Sequence, residues 1–173
     1  TQRLQEYREG VWPLWQARTE LSDPLLIAWQ KALTTAQTTP STLSHYPGSP
    51  WWLSHSLREQ DHLRLFELHP GEHAQLSAQG LSPHAQRVFG DGLAGLTAML
   101  PVITPRLCVL IDPSYERKAE YQEVADTTIY TLEKARHAVV LMWYPLLPAG
   151  NHHTLLAALK ESGVRKIWRG ELL

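Results

Sequence analysis

Apolar positions recur along this chain with two periods, one near 3.6 residues and one near two. The opening stretch "LQEYREGVWPLWQA" places Leu4, Tyr7, Val11, Leu14 and Trp15 at helical spacing, with Gly10 and Pro13 marking a kink. "SDPLLIAWQKALTTA" starts a second helix with Ser22, Asp23 and Pro24 and lines one face with Leu25, Leu26, Trp29 and Leu33. A turn-rich loop follows, and then short strands and helices alternate. "SPWWLSHSLR" (49–58) reads as a helix capped by Ser49, and "HLRLFEL" (62–68) as a strand ending at Glu67. "GEHAQLSAQG" is helical, "AQRVFGD" (85–91) is a strand ending at Asp91, and "GLAGLTAMLP" is a helix. "RLCVLID" and "HAVVLMWYP" (137–145) are continuous apolar runs, of the kind buried on both faces of a parallel sheet. Between them "YERKAEYQEVADTTIYTLEKA" predicts a long helix facing inward through Tyr121, Val124, Ile129 and Leu132. "NHHTLLAALKESG" predicts a helix ending at Gly163, and "VRKIWRGELL" a last strand.

Strands alternating with helices predict an α/β fold, three layers around a mostly parallel sheet. The stretch 1–45 reads as an inserted helical pair and 46–173 as the core of a single domain. The chain begins at Thr1 inside a helical pattern and stops at "GELL", so a piece of a longer protein is expected.

Charge adds little, with 16 basic against 17 acidic residues, so a nucleic-acid partner needs a local patch. Arg117, Lys118, Arg165, Lys166 and Arg169 are the candidates, and each also suits a solvated surface. The single cysteine, Cys108, excludes an internal disulfide and a multi-cysteine zinc site; inside its apolar run it reads as a small buried hydrophobe. A reducing cytoplasm is the default location. No apolar run reaches the ~18–20 residues of a membrane span, and no secretory leader opens the chain. His152 and His153 are adjacent on a helix and point about 100° apart, which disfavours a shared metal. Trp51 and Trp52 read as a core anchor and a half-exposed ring.

The informative polar residues stand at strand ends. Glu67, Asp91 and Asp112 close three successive strands, and parallel strands would bring them to one edge, where open α/β sheets bind ligands. An acid there can hold a ribose diol, and Asp91-Gly92 allows the backbone near an adenine ring. Each acid equally suits capping the next helix. After the last apolar run come Asp112, Pro113, Ser114 and Tyr115. The carboxylate and the proline carbonyl are two acceptors, and the ring is a platform, which together suit a planar amine-bearing base.

Asp-Pro-Ser-Tyr resembles the Asp-Pro-Pro-Tyr motif of adenine-N6 methyltransferases, which act on DNA or RNA with S-adenosylmethionine. "YPGSP", "LREQDHLRLFELHP", "GDGL", "LIDPSYE", "YQEV", "WYP" and "GVRKI" follow in order, with "EYREGVWPLWQ" near the start. Together they are similar to the RlmJ family, bacterial methyltransferases of an adenine N6 in large-subunit (23S) ribosomal RNA. The resemblance covers nearly the whole chain. It implies a Rossmann-like class I methyltransferase fold, S-adenosylmethionine as cofactor, 23S rRNA as partner, no metal, and a cytoplasmic monomer. Ser49, Glu67, Asp91, Gly92 and Asp112 would line the cofactor site. Asp112 would be the catalytic acceptor, Pro113 the second acceptor, and Tyr115 would stack on a flipped adenine. His69, beside Glu67, has no settled role in the motif.

Two departures stand out. Ser114 replaces the second proline of the family motif. No G-x-G pattern follows a strand, since "GDGLAG" (90–95) comes after the wrong one. A first strand with its glycine-rich loop, and a C-terminal hairpin, are therefore expected outside this chain, and the chain alone is expected to be inactive. Two other readings stay open: a non-catalytic nucleic-acid-associated protein linked to use of external DNA, and a DNA adenine-N6 methyltransferase.

Overall fold

The computed structural model describes residues 8–171. The chain forms two units: one runs up to Leu65 and includes Gly71–Val88, the other holds Phe66–Pro70 and Phe89 onward.

In the first unit, α1 (Val11–Gln16) is a short helix whose Trp15 is buried under the Arg18 guanidinium, 4.6 Å above its ring. Leu4 and Tyr7 lie outside the described residues. Helix α2 (Pro24–Thr35) starts as its sequence predicts: Asp23 accepts from Leu25 N at 2.8 Å and Leu26 N at 3.1 Å, and Pro24 needs no donor there. The buried Gln37 then pins the turn-rich loop, donating to His45 O at 2.9 Å and accepting from Ser44 N at 2.8 Å. Helix α3 (Ser49–His55) corrects one expectation. Gly48 holds the cap position, and Ser49 is the first helical residue, making no side-chain cap bond. Trp51 stacks on His55 at 4.6 Å, Trp52 donates to Pro47 O at 3.0 Å, and both rings are half-buried.

Strand β1 (Leu63–Glu67), helix α4 (Pro70–Ala78) and strand β2 (Ala85–Phe89) follow. Leu63 N donates to His84 O at one end of the β1–β2 pair and Gly90 N to Glu67 O at the other, so the strands run parallel.

The second unit carries helix α5 (Gly92–Met99), strand β3 (Leu107–Ile111), helix α6 (Glu120–Lys134), strand β4 (Ala138–Met142) and helix α7 (His152–Glu161). β3 and β4 are parallel, in register from Leu107↔Ala138 to Ile111↔Met142. Their connection through α6 is the crossover that parallel pairing requires. Ile111, Tyr115, Tyr121, Val124, Ala125, Leu155 and Leu159 form the core, with Val109, Val140 and Met142 packed against it. Thr128 and Thr131 complete the buried stripe of α6. Their hydroxyls are answered locally, Thr131 by Thr127 O at 2.7 Å and Thr128 by Met142 Sδ at 3.2 Å. Among the inward positions expected on α6, Tyr121 and Val124 are fully buried, whereas Ile129 and Leu132 are half-buried. The helix begins at Glu120, later than its sequence pattern suggests, because Pro113 and a left-handed Tyr115 hold the preceding segment in a loop. Gly163, at φ 75°, ends α7 as a left-handed cap.

Three further expectations are corrected here. Cys108 is exposed, not buried. Strand β4 buries one face only, with Val139 and Leu141 66% and 65% exposed because α6 and α7 both pack on the side of Val140 and Met142, whereas on β3 Leu110 is half-buried beside the exposed Cys108. The last strand is absent among the described residues. Residues 164–171 find no ladder partner, Lys166 turns left-handed at φ 62°, and Arg169 pairs locally with Glu171 at 2.7 Å. No helix of the described residues is long and apolar enough to cross a membrane.

Gly95 shows how tightly α5 seats. A Cβ there would run into the Phe66 ring. Gly95→Ala is expected to destabilise by about 1–3 kcal/mol despite its better helix propensity, since overpacking outweighs it. A lowered urea midpoint checks this, with Gly80→Ala, where the space is open, as the neutral control.

Candidate functional site

The strand ends hold the acids in two groups. In the first, Glu67 and Asp91 close the β1–β2 pair, linked by the Gly90 N donation to Glu67 O at 3.1 Å. Glu67 Oε1 accepts from His69 N at 2.7 Å, so His69 contributes its backbone here. Asp91 Oδ1 caps α5, accepting from Leu93 N at 2.8 Å and Ala94 N at 3.2 Å. Capping is therefore a real role of Asp91, while Glu67 closes the turn before α4, and each bond pattern occupies one oxygen. Among the described residues the other oxygens have no partner, so each carboxylate keeps acceptor capacity for a hydroxyl or amine hydrogen. Gly92 opens α5, where a Cβ would come within 3.3 Å of Phe66 Cβ, so its small size serves packing of helix on strand. Asp91 also lines an open groove of about 530 Å³ between α5 and α6, shared with Glu123 and Asp126; Asp112 does not line it.

The second group follows β3. Asp112 is exposed and, among the described residues, accepts no hydrogen bond. Its partly apolar surroundings still push its carboxyl above the usual aspartate value, because desolvation disfavours the charge. Pro113 is half-buried, and no backbone N–H among the described residues donates to its carbonyl. Tyr115 turns the other way. Its φ of 53° is the left-handed region, where a bulky side chain is strained, and it points the ring into the core. There it is 5% exposed and lies 4.4 Å from the Tyr121 ring, with both hydroxyls buried and unpaired. Burial drives the Tyr115 hydroxyl well above the usual phenol range.

The structure thus brings Glu67 together with Asp91, and Asp112 with Pro113 and Tyr115. No ladder joins β2 to β3 among the described residues, so hydrogen bonding does not set all three acids on one continuous edge. Ser49, exposed at the start of α3, belongs to the other unit.

Sequence reasoning overlooked the neighbouring strand end. Trp143 N donates to Ile111 O at 3.0 Å, extending the β3–β4 ladder to the motif itself. Trp143 is 62% exposed. Tyr144 is half-buried, stacks on His152 at 5.8 Å and donates from its hydroxyl to Glu171 Oε1 at 2.7 Å. The signal was available, since "WYP" ends an apolar run just as "DPSY" does. Of the candidate cations, Arg117 pairs with Glu120 and Glu123, and Arg169 with Glu171. Lys118, Arg165 and Lys166 are exposed and carry no ion pair among the described residues.

A family described as Ribosomal RNA large subunit methyltransferase D, RlmJ, matches residues 1–173. The chain is 32% identical to Ribosomal RNA large subunit methyltransferase J of Escherichia coli K12, over 99% of its own length and 60% of that protein's. It is 30% identical to the protein of the same name from Haemophilus influenzae, over 99% of its own length and 61% of that protein's. A crystal structure of a protein from Legionella pneumophila superposes with a TM-score of 0.82 at 34% identity, covering 91% of this chain and 59% of that one. The chain therefore spans about three fifths of the length of these relatives. The mixed α/β fold with short parallel sheets agrees with that Rossmann-like likeness. With a match over its whole length and relatives at this identity, the chain belongs to the RlmJ family of ribosomal RNA large subunit methyltransferases.

Proposed function

We propose that the full-length protein transfers a methyl group from S-adenosylmethionine to the N6 of an adenine in 23S ribosomal RNA. The observation that carries this reading is Asp112, a carboxylate without a partner among the described residues at the end of a parallel strand, beside a proline carbonyl with no backbone donor among them, in a chain of this family. An adenine amine has two hydrogens, and Asp112 with Pro113 offers the two acceptors. Holding both hydrogens turns the nitrogen lone pair away from conjugation with the ring and aims it, and positioning of this kind lowers barriers by several kcal/mol. The raised proton affinity of Asp112 suits it to receive the amine proton as positive charge builds on nitrogen.

The residues present fit the adenosine half of the cofactor. The free oxygens of Glu67 and Asp91 would accept from its ribose hydroxyls and adenine amine, and Gly92 would leave room for the ring. When bound, the cofactor supplies an electrophilic methyl on a sulfonium sulfur. Stacking of Tyr115 on the target base requires the ring to leave Tyr121. That move gives up the burial of the ring in the core, about 1.5–3 kcal/mol, which the base contact and hydration of the orphaned hydroxyl have to offset. Phosphate contacts fall to Lys118, Arg165 and Lys166, the candidate cations without ion pairs among the described residues.

Offering the full-length protein 23S rRNA fragments and duplex DNA with labelled cofactor tests the reading. Label is expected in rRNA and not in duplex. Preferential labelling of the duplex would make it a DNA methyltransferase, and no labelling of either would leave a binding protein.

A further inference from the structure

We propose that Trp143 is the aromatic surface on which the RNA base first stacks as it reaches Asp112, ahead of any contact with Tyr115. This rests on the function proposed above and assigns that site a residue outside the Asp-Pro-Ser-Tyr motif. β3 and β4 pair in parallel with Cys108↔Val139 and Leu110↔Leu141, and continuing that register one step past Ile111↔Met142 sets Asp112 beside Trp143. The Trp143 N–H donation to Ile111 O at 3.0 Å holds the register there. Residues paired in this way stand on the same face of a sheet. The core takes the opposite face, with Val109 and Ile111 from β3 and Val140 and Met142 from β4. Trp143 continues the exposed series of Val139 and Leu141 and is itself 62% exposed.

Tyr115 gives the contrast. It is the motif's own aromatic, and it is 5% exposed with its ring against Tyr121. The aromatic face already open beside the acceptor is therefore the indole of Trp143. Its backbone is fixed by a ladder bond, whereas the Tyr115 segment is a strained loop. A base lying on the indole presents its edge sideways, toward the neighbouring strand, where Asp112 accepts the amine hydrogens. Single-stranded RNA bases are recognised by this combination of aromatic face and edge acceptor.

The test uses full-length protein with Trp143→Ala, Trp143→Phe and Asp112→Ala, an adenine-containing rRNA oligonucleotide and S-adenosylmethionine. Trp143→Ala is expected to raise the KM for RNA about tenfold or more, leave the KM for cofactor within about twofold, and be largely rescued by Trp143→Phe. The oligonucleotide is also expected to quench tryptophan fluorescence in the parent and in Asp112→Ala, with a distinctly smaller quench in Trp143→Phe. An unchanged KM for RNA in Trp143→Ala, with the quench retained in Trp143→Phe, overturns the proposal. So does a loss of RNA and cofactor binding together with a lowered Tm and no rescue by Phe, which marks the indole as packing against other parts of the protein. If Asp112→Ala keeps the parent rate, the functional reading fails instead, and the quench still decides the role of Trp143.

Discussion

Asp112→Ala in the full-length protein is expected to lower methyl transfer to rRNA by about 100- to 10,000-fold, the range that positioned proton-accepting groups supply. The same substitution is expected to leave the Tm unchanged or slightly raised. Asp112 has no hydrogen-bond partner to lose among the described residues, and its surroundings disfavour its charge. The sign follows from the raised pKa. Asp112 favours the folded state below its ordinary value, and that contribution disappears as pH rises through the raised one, so at neutral pH the ionised group is a small burden. Activity runs the opposite way with pH. The carboxylate accepts only when ionised, so the acid limb of the rate profile is expected above the ordinary aspartate range. Asp112→Asn keeps one carbonyl acceptor but cannot take the proton, and is expected to fall between parent and alanine variant. Loss of rate with retained Tm separates a catalytic acceptor from a structural residue.

Leu155→Ala is expected to have the largest effect on stability, about 2–5 kcal/mol. Leu155 is fully buried on α7 in the cluster with Ile111, Tyr115, Tyr121 and Val124. Truncation leaves a cavity among rigid neighbours, since Tyr115 and Tyr121 are already in ring contact and Val124 is fully buried. Denaturant titration checks this, with Leu25→Ala on the exposed face of α2 expected within about 0.5 kcal/mol of the parent. Because Tyr115 belongs to the same cluster, the substitution also loosens the loop that follows Asp112. Core packing and site geometry are thus linked through one aromatic pair.

Much of the element order was legible because it depends on local pattern. Ser22-Asp23-Pro24 marked the start of α2, and the apolar run before Asp112 marked β3, to within a residue or two. The place of Asp112 at a strand end was legible because a polar group directly after such a run has to stand there. Three features depended on what lies across space, which local pattern does not record. The apolar runs of β3 and β4 show that both faces avoid water, but not that this chain covers only one, so Cys108 was misplaced. Tyr115 was readable as an aromatic near the acceptor, but its left-handed backbone, which turns the ring inward, leaves no mark on spacing. Trp143 carries no such mark, because its place beside Asp112 follows only from the parallel register continued one step past Ile111↔Met142. The last expected strand failed for a related reason: "VRKIW" has strand-like composition, but a strand forms only where a ladder partner exists.

The central claim is that Asp112 serves methylation of adenine N6 in ribosomal RNA. The most direct measurement incubates full-length protein with unmodified 23S rRNA and methyl-labelled S-adenosylmethionine, then digests the RNA to nucleosides for mass spectrometry. The parent protein is predicted to place the label in N6-methyladenosine, and Asp112→Ala to leave at most about one hundredth of that amount. Label in a different nucleoside, no label at all, or equal labelling by Asp112→Ala would contradict the account.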